Sequence, residues 1–223
     1  MNNRTIKLTS DGSFTLFDEE SGEHFHSVNG AITESRHVFI NAGLKESLKT
    51  VPRITILEIG FGTGLNALLT WHESIGKAEI KYHAIDAQPI DVQLIGKLKY
   101  GELLSKLEAE EVFQNLHQAP WNDLVVIDTH FSLIKEQLDL LLFEPLDLEY
   151  DLVYFDAFSP AVQPDLWSIE VFSKMFRAMK PGGILVTYSA KGVVKQALRS
   201  VGFMVERLPG PMGKRHMIRA RKT

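Results

Sequence analysis

The sequence predicts an α/β fold: a mostly parallel sheet covered by helices, closed by an antiparallel strand pair and preceded by a small β-rich extension. Three observations predict it. Short apolar runs alternate with helical runs from residue 54 onward, the pattern of repeated strand–helix units. One apolar run, residues 54–59, ends in glycines at alternate positions, Gly60, Gly62 and Gly64, and a helical run starts at Leu65. The last two apolar runs, 203–208 and 217–221, flank a Pro- and Gly-rich loop at 209–213, as the arms of a hairpin do. A chain of 223 residues suits one such domain with a modest extension. The expected division is an extension over residues 1–50 and a main domain over 51–223.

The elements follow in order. Residues 5–8 and 13–17 flank Asp11-Gly12, a hairpin signal. A second turn is expected at Ser21-Gly22-Glu23, and His24 and His26 alternate on a strand that places both at the surface. Residues 32–48 read as a helix, bent or broken near Gly43. The alternation then runs strand 54–59, helix 67–73, strand 80–85 and helix 92–107, followed by a long middle segment. Residues 152–155 form a fully apolar strand. The helix 169–179 is expected to stop at Lys180-Pro181-Gly182-Gly183. A strand at 184–189 and a helix at 192–200 lead to the closing pair.

Glycine spacing narrows the chemistry. A dinucleotide site needs glycines at the first, third and sixth positions. Counted from Gly60, the sixth position is Leu65, so that pattern fails. What remains is acid-x-Gly-x-Gly-x-Gly with Glu58 leading. It resembles the first motif of S-adenosylmethionine-dependent methyltransferases, where glycines let the backbone approach a ligand that has no phosphate. The alternative is a plain turn. Asp86 closes the next strand, 22 residues after Gly64, near the ~20 expected of an acid that reaches ribose hydroxyls. Its alternative role is to cap the following helix.

A second site lies in Asp151-Leu152-Val153-Tyr154-Phe155-Asp156-Ala157-Phe158-Ser159-Pro160, a strand that delivers an acid into a loop. Ligands of open α/β sheets bind beyond the carboxyl ends of the strands, so Asp156 falls on the same edge as the glycines and Asp86. An acid beside a sulfonium suits a nitrogen nucleophile: Asp156 would hold the amine and take its proton. Phe158 and Trp167 offer flat faces for a base or a cation. The competing readings are a helix cap for Asp156 and core packing for Trp167.

The totals exclude several classes. There is no cysteine, hence no disulfide, thiolate metal site or iron–sulfur cluster. Methylation of a pyrimidine ring carbon, which ordinarily needs a cysteine nucleophile, is also excluded; the acceptor should be an amine nitrogen or an oxygen. No histidine pair has metal-ligand spacing with an acid, so no metal is expected, and no Gly-x-Ser-x-Gly elbow supports a hydrolase. No apolar run approaches the ~20 residues of a membrane span, and residues 1–10 carry no signal-peptide core. The expected compartment is the cytoplasm. Net charge is −4, yet residues 191–223 carry nine Lys and Arg against one acid, Glu206. Such an end is either a patch for phosphates or a solvated hairpin.

Most of the chain resembles one family, the methyltransferase part of MnmC, the tRNA 5-methylaminomethyl-2-thiouridine biosynthesis protein, and its stand-alone forms. Thr33-Glu34-Ser35-Arg36-His37-Val38-Phe39 is similar to its Glu-Thr-Arg-Tyr-Val-Phe segment. Gly60-Phe61-Gly62-Thr63-Gly64-Leu65-Asn66 is similar to its cofactor loop. Asp156 to Pro160 with Pro164-Asp165-Leu166-Trp167 resembles its Asp-Gly-Phe-Ala-Pro and Asn-Pro-Asp-Met-Trp. Pro181-Gly182-Gly183 through Tyr188-Ser189-Ala190 and Gly213-Lys214-Arg215-His216-Met217 resemble its last motifs.

The resemblance implies a Rossmann-like fold and transfer of a methyl group from S-adenosylmethionine to the aminomethyl group on a tRNA wobble uridine. Its acceptor is an aliphatic amine, in keeping with the missing cysteine. It implies Asp156 as catalytic and Glu58, Gly60, Phe61, Gly62, Gly64, Asn66 and Asp86 as cofactor-binding. Glu136-Gln137 align with the Gly-Asp that contacts the adenine, which puts Gln137 in that role. Phe158, Pro160, Trp167, Lys214 and Arg215 would meet the tRNA anticodon stem-loop. The FAD-dependent oxidase half of the bifunctional protein has no counterpart in these residues, so another route is expected to supply the amine. The rival readings are a small-molecule amine methyltransferase, an aminopropyltransferase resembling spermidine synthase, and a non-catalytic binding module.

Overall fold

The computed structural model describes residues 4–223. The Asp11-Gly12 turn joins β1 (Arg4–Leu8) to β2 (Phe14–Asp18), and β3 (Glu23–His24) adds a third antiparallel strand. Gly12 has a φ of +82°, which its missing Cβ permits. The carboxylate of Asp11 accepts the Thr33 amide proton at 2.9 Å, tying this hairpin to the helical segment that follows.

That segment runs without a break from α1 (Ala31–Ser35) through a π-helical stretch (Arg36–Leu44) into α2 (Lys45–Ser47). The irregularity expected at Gly43 is therefore a widened helix, not a bend. Gly43 marks a close approach: a Cβ there would lie 3.0 Å from Val186 and 3.3 Å from Leu152 and Tyr154. The helix rests directly on the sheet at that point.

The main sheet is assembled from β4 (Arg53–Ile59), β5 (Glu79–Asp86), β6 (Leu124–Asp128), β7 (Phe131–Gln137), β8 (Tyr150–Phe155), β9 (Met179–Thr187), β10 (Met204–Pro209) and β11 (His216–Arg221). Their order is β10-β11-β9-β8-β4-β5-β7-β6. The inner five, β9-β8-β4-β5-β7, are parallel. The predicted closing pair β10–β11 is antiparallel on one edge, and β6 turns back on β7 at the other. Helices α3 (Leu65–Ser74), α4 (Val92–Ile95), α5 (Ala109–Gln118), α6 (Ile169–Ala178) and α7 (Gly192–Ser200) complete the fold.

The two faces of the sheet read out of single strands. On β4, Ile54 and Ile56 join one buried cluster and Leu57 and Ile59 the other; on β8, Leu152 and Tyr154 separate from Val153 and Phe155 in the same way. Side chains of a strand alternate, so both faces are covered.

Three expectations fail for identifiable reasons. The helix expected over 92–107 stops at Ile95, and the long helix is α5 instead. Lys99 adopts a left-handed φ of +51°. Gly101 packs so tightly on the start of α5 that a Cβ would lie 2.3 Å from the Glu110 Cα. The hairpin β6–β7 was hidden because Leu124 and Val126 are apolar yet exposed at the sheet edge, and because Lys135, Glu136 and Gln137 end β7. Finally, β9 begins at Met179. Its register with β8 jumps from Tyr150↔Met179 to Leu152↔Ile184, so residues 180–183 bulge within the strand.

Candidate active site

Strand order reverses between β4 and β8, and the crevice beyond such a switch point is where open α/β sheets bind ligands. Gly60 follows β4 and Asp156 follows β8. The Asp156 amide donates to the Ile59 carbonyl at 3.0 Å, and a Cβ on Gly60 would lie 2.8 Å from the Asp156 carbonyl oxygen. The two loops touch. Gly60, Gly62 and Gly64 have φ of +87°, +48° and +69°, so all three glycines are required by the backbone.

The loop is held from behind by residues that sequence reasoning placed elsewhere or missed. His26, expected at the surface, is buried with Nε2 2.7 Å from the Thr63 hydroxyl. His117 on α5 donates through Nε2 to the Thr63 carbonyl at 3.1 Å. Burial pushes His26 down to about 4 and His117 to about 3, so both are neutral props. Lys135 on β7 is also buried. Its ammonium donates to the His117 carbonyl at 2.9 Å and stands 5.3 Å from the Phe61 ring centre and 4.9 Å from that of Trp121; burial lowers it to about 8. The available signal was a polar residue on the inward stripe of α5 for His117 and of β7 for Lys135; His26 lies outside any helix or strand.

The acids differ in their surroundings. At the end of β5, Asp86 accepts the Gly62 amide through Oδ2 and the Gln88 amide through Oδ1, both at 2.8 Å. Each oxygen keeps a lone pair for another donor. Asp156 Oδ2 accepts from the Asn66 amide nitrogen at 2.8 Å, and the same nitrogen donates to Glu58 Oε1 at 2.9 Å. Glu58 is 0% exposed and its Oε2 has no hydrogen-bond partner. Burial pushes Glu58 and Asp156 well above the usual carboxylate range; the Asn66 donor works in the opposite direction on both.

A cavity of about 830 Å³ opens over these groups. Gly60, Phe61, Gly62, Asp86, Asp156, Phe158 and Lys214 line it. Glu58, Gly64 and Asn66 do not line it. Trp167 is 4% exposed, packed on Phe155, Phe172 and Tyr188, and its indole N–H holds the Phe158 carbonyl at 2.8 Å. It supports the loop from the core. Pro160, Arg215 and Gln137 do not line the cavity. Gln137 is exposed at the end of β7, and the chain reaches the cavity one residue later, with Leu138, Asp139 and Leu140. Lys214 does line it, but with its ammonium 2.6 Å from Glu34 Oε1 and 4.0 Å from the Tyr188 ring centre. Glu23, Phe25 and His26 of the extension form the opposite wall.

Six carboxylates, Glu23, Glu34, Asp86, Asp139, Asp156 and Asp165, line this cavity against the cations Arg4 and Lys214. Such a lining favours a cationic ligand. Left-handed glycines for close backbone approach, an acid with free lone pairs and a negative cavity together fit a ligand with a sulfonium, a ribose and no phosphate. Among the described residues no group of three His, Cys, Asp or Glu side chains could hold a metal ion, and no helix is long and apolar enough to cross a membrane.

Comparison with known proteins agrees with this geometry. A family model described as S-adenosyl-L-methionine-dependent methyltransferase matches residues 103–223. The bifunctional tRNA 5-methylaminomethyl-2-thiouridine biosynthesis protein MnmC of Azoarcus sp. (strain BH72) is 30% identical over 97% of this chain, and that of Ralstonia nicotianae is 32% identical over 96%. The match covers 35% and 33% of those proteins, so the chain spans about a third of the length of these curated relatives. The crystal structure of MNMC2 from Aquifex aeolicus superposes with a TM-score of 0.77 at 26% identity, over 99% of this chain and 71% of that one. Spermidine synthase from Thermotoga maritima shares the fold, with a TM-score of 0.60 at 16% identity over 100% of this chain and 70% of that one.

Proposed function

The chain belongs to a family of S-adenosyl-L-methionine-dependent methyltransferases, and from that premise we propose that it methylates the primary amine of a 5-aminomethyl group on the wobble uridine of tRNA. The observation that carries this reading is Asp156: a half-buried acid at a strand end, its backbone touching the glycine loop, in a cavity lined by carboxylates. We further take residues 51–223 as the methyltransferase domain, 1–50 as an extension supplying one wall of its pocket, and the cytoplasm as its place of work.

When bound, the cofactor supplies an electrophilic methyl group on a sulfonium. Gly60 and Gly62 give its methionine part close access to backbone, and Asp86 receives ribose hydroxyls on the lone pairs that the Gly62 and Gln88 amides leave free. Leu138 and Asp139, on the cavity wall just past β7, would hold its adenine. The free Oδ1 of Asp156 accepts an N–H of the incoming amine, aims the nitrogen lone pair and takes a proton as the carbon–nitrogen bond forms. A carboxylate raised by burial is the better base. Phe158, edge-on to Phe25 with ring centres 5.1 Å apart, offers a face at the mouth for the uracil.

RNA phosphates would meet the last strand pair. Lys222, Arg219 and Arg221 are already spent on carbonyls, Glu206 and Glu46, and Lys214 on Glu34. Lys195, Arg207 and Arg215 surround His216 closely enough to depress its proton affinity, after its partial desolvation, and none takes an ion pair among the described residues. We place the phosphate contacts there. The test is single-turnover transfer of labelled methyl to wobble-aminomethylated and unmodified tRNA. Label on the aminomethylated tRNA alone is expected, with affinity falling steeply between low and moderate salt. Equal labelling of both tRNAs, or of neither, overturns the reading.

A further inference from the structure

Asn66 sits in the first turn of α3, 2% exposed, outside the cavity and two residues past the last loop glycine. Its amide nitrogen has two hydrogens, and both are used on carboxyl groups: one on Asp156 Oδ2 at 2.8 Å, one on Glu58 Oε1 at 2.9 Å. Its carbonyl oxygen receives the hydroxyl of Ser35, itself fully buried on α1. The Ser35 hydroxyl donates to the amide oxygen, which leaves the amide nitrogen to meet the two acids. No other hydrogen bond restrains the Asp156 carboxylate among the described residues.

We propose that Asn66 is a positioning residue for methyl transfer: anchored by Ser35 and Glu58, it pins one oxygen of Asp156 and leaves Oδ1 as the oxygen that meets the incoming amine. The proposal rests on the amine-methylation reading above. It moves Asn66 from the cofactor shell to the catalytic acid, and it gives Glu58 a role that needs no contact with the cofactor. Glu58 serves as the far anchor of the amide. A second consequence concerns protonation. Asn66 is the only donor among the described residues that stabilises the Asp156 anion by direct hydrogen bond. The other charged or titratable groups facing Asp156 are Glu34, Lys214, Glu58, Tyr82 and Tyr188. Of these only Lys214 favours the anion, and its ammonium is bonded to Glu34.

The Asn66→Ala and Ser35→Ala variants test this, the second touching neither Asp156 nor the cavity. A hydrogen bond to a charged group is worth enough to move a titration by about one to two pH units. Asn66→Ala is therefore expected to shift the acid limb of the pH–rate profile upward by that amount, to lose roughly tenfold or more in kcat at pH 7, and to recover part of it at pH 9. Cofactor affinity, read by calorimetry, should stay within about threefold. Ser35→Ala should shift the limb the same way by less. The Asp156 carboxyl is followed independently by carbon NMR on aspartate-labelled protein, so the inference is read even if tRNA is not methylated. An unmoved Asp156 titration in Asn66→Ala, or a tenfold loss of cofactor affinity with an unchanged pH profile, overturns it. Failure of wild type to label aminomethylated tRNA, with the Asp156 titration shifted as expected, overturns the function reading and leaves the positioning role standing.

Discussion

Asp86 and Asp156 end neighbouring regions of one sheet edge, yet the chain treats them oppositely. Asp86 closes β5, partly exposed, with one backbone amide on each oxygen. Asp156 follows β8, half-buried as Asp86 is, with a side-chain amide on one oxygen and none on the other. Backbone amides hold a carboxylate as a fixed acceptor, suited to hydroxyls. Burial raises a carboxylate toward the proton affinity of a working base. The difference teaches that strand-end position selects the edge, and the donors around each acid select the role.

The comparison breaks most sharply at Asp156. Asp156→Asn should cost about 10²–10⁴-fold in single-turnover rate while cofactor affinity, measured by calorimetry, changes little. Asp86→Ala should do the reverse. It removes the acceptor for ribose hydroxyls and for the Gly62 amide, and is expected to weaken cofactor binding by roughly 10–100-fold with a smaller change in the rate at saturation. If the two variants exchange signatures, the assignment is wrong.

Gly60→Ala probes the contact between the two strand ends. Its φ of +87° and the 2.8 Å approach to the Asp156 carbonyl predict a cost of about 1–3 kcal/mol in stability, seen as a lower melting temperature. Both cofactor affinity and rate should fall, because both loops must shift. A variant with wild-type melting and binding would show that the loops do not bear on each other.

The smallest effect on activity is expected at Glu58, where the readout is stability. Its proton affinity in the folded chain is raised well above 4.5 by burial, so the folded state keeps a proton that the unfolded chain releases above about pH 4.5. Stability is therefore lost as pH rises from that point, by up to about 1.4 kcal/mol per pH unit until the folded value is reached. Glu58→Gln deletes this dependence. Its melting temperature relative to wild type should climb between pH 5 and pH 8; a flat difference would mean that Glu58 is ionised in the fold.

How much was legible in the sequence follows the same division between position and environment. Strand ends with glycines or acids are written in local pattern, so Gly60, Asp86 and Asp156 could be placed on one edge from residues alone. The supports could not. His26, His117 and Lys135 act through partners 37, 54 and 18 residues away, and a place on an inward stripe, which His117 and Lys135 have and His26 lacks, does not name the partner. Gln137 misses the cavity by one residue because the end of β7 is not marked by glycine or proline. Lys214 reads as a surface cation in a basic run, but Glu34, 180 residues earlier, turns it inward. The hairpin β6–β7 escaped for a related reason: at an open sheet edge, apolar and polar positions no longer sort by face.

The contact of Gly60 with the Asp156 carbonyl has a bearing on how this site can be inherited or engineered. Neither loop is a portable cassette. A chimaera that exchanges only the glycine loop, or only the acid loop, inherits one half of a fitted joint and must match the other half's backbone to within a few tenths of an ångström. Donor fragments should therefore carry β4 and β8 together with their pairing, as one heritable unit. Libraries aimed at new amine acceptors are better directed at Phe158 and Val162, since Glu23 holds the acid loop through the Ser159 amide at 2.9 Å and Phe25 packs on Gly62.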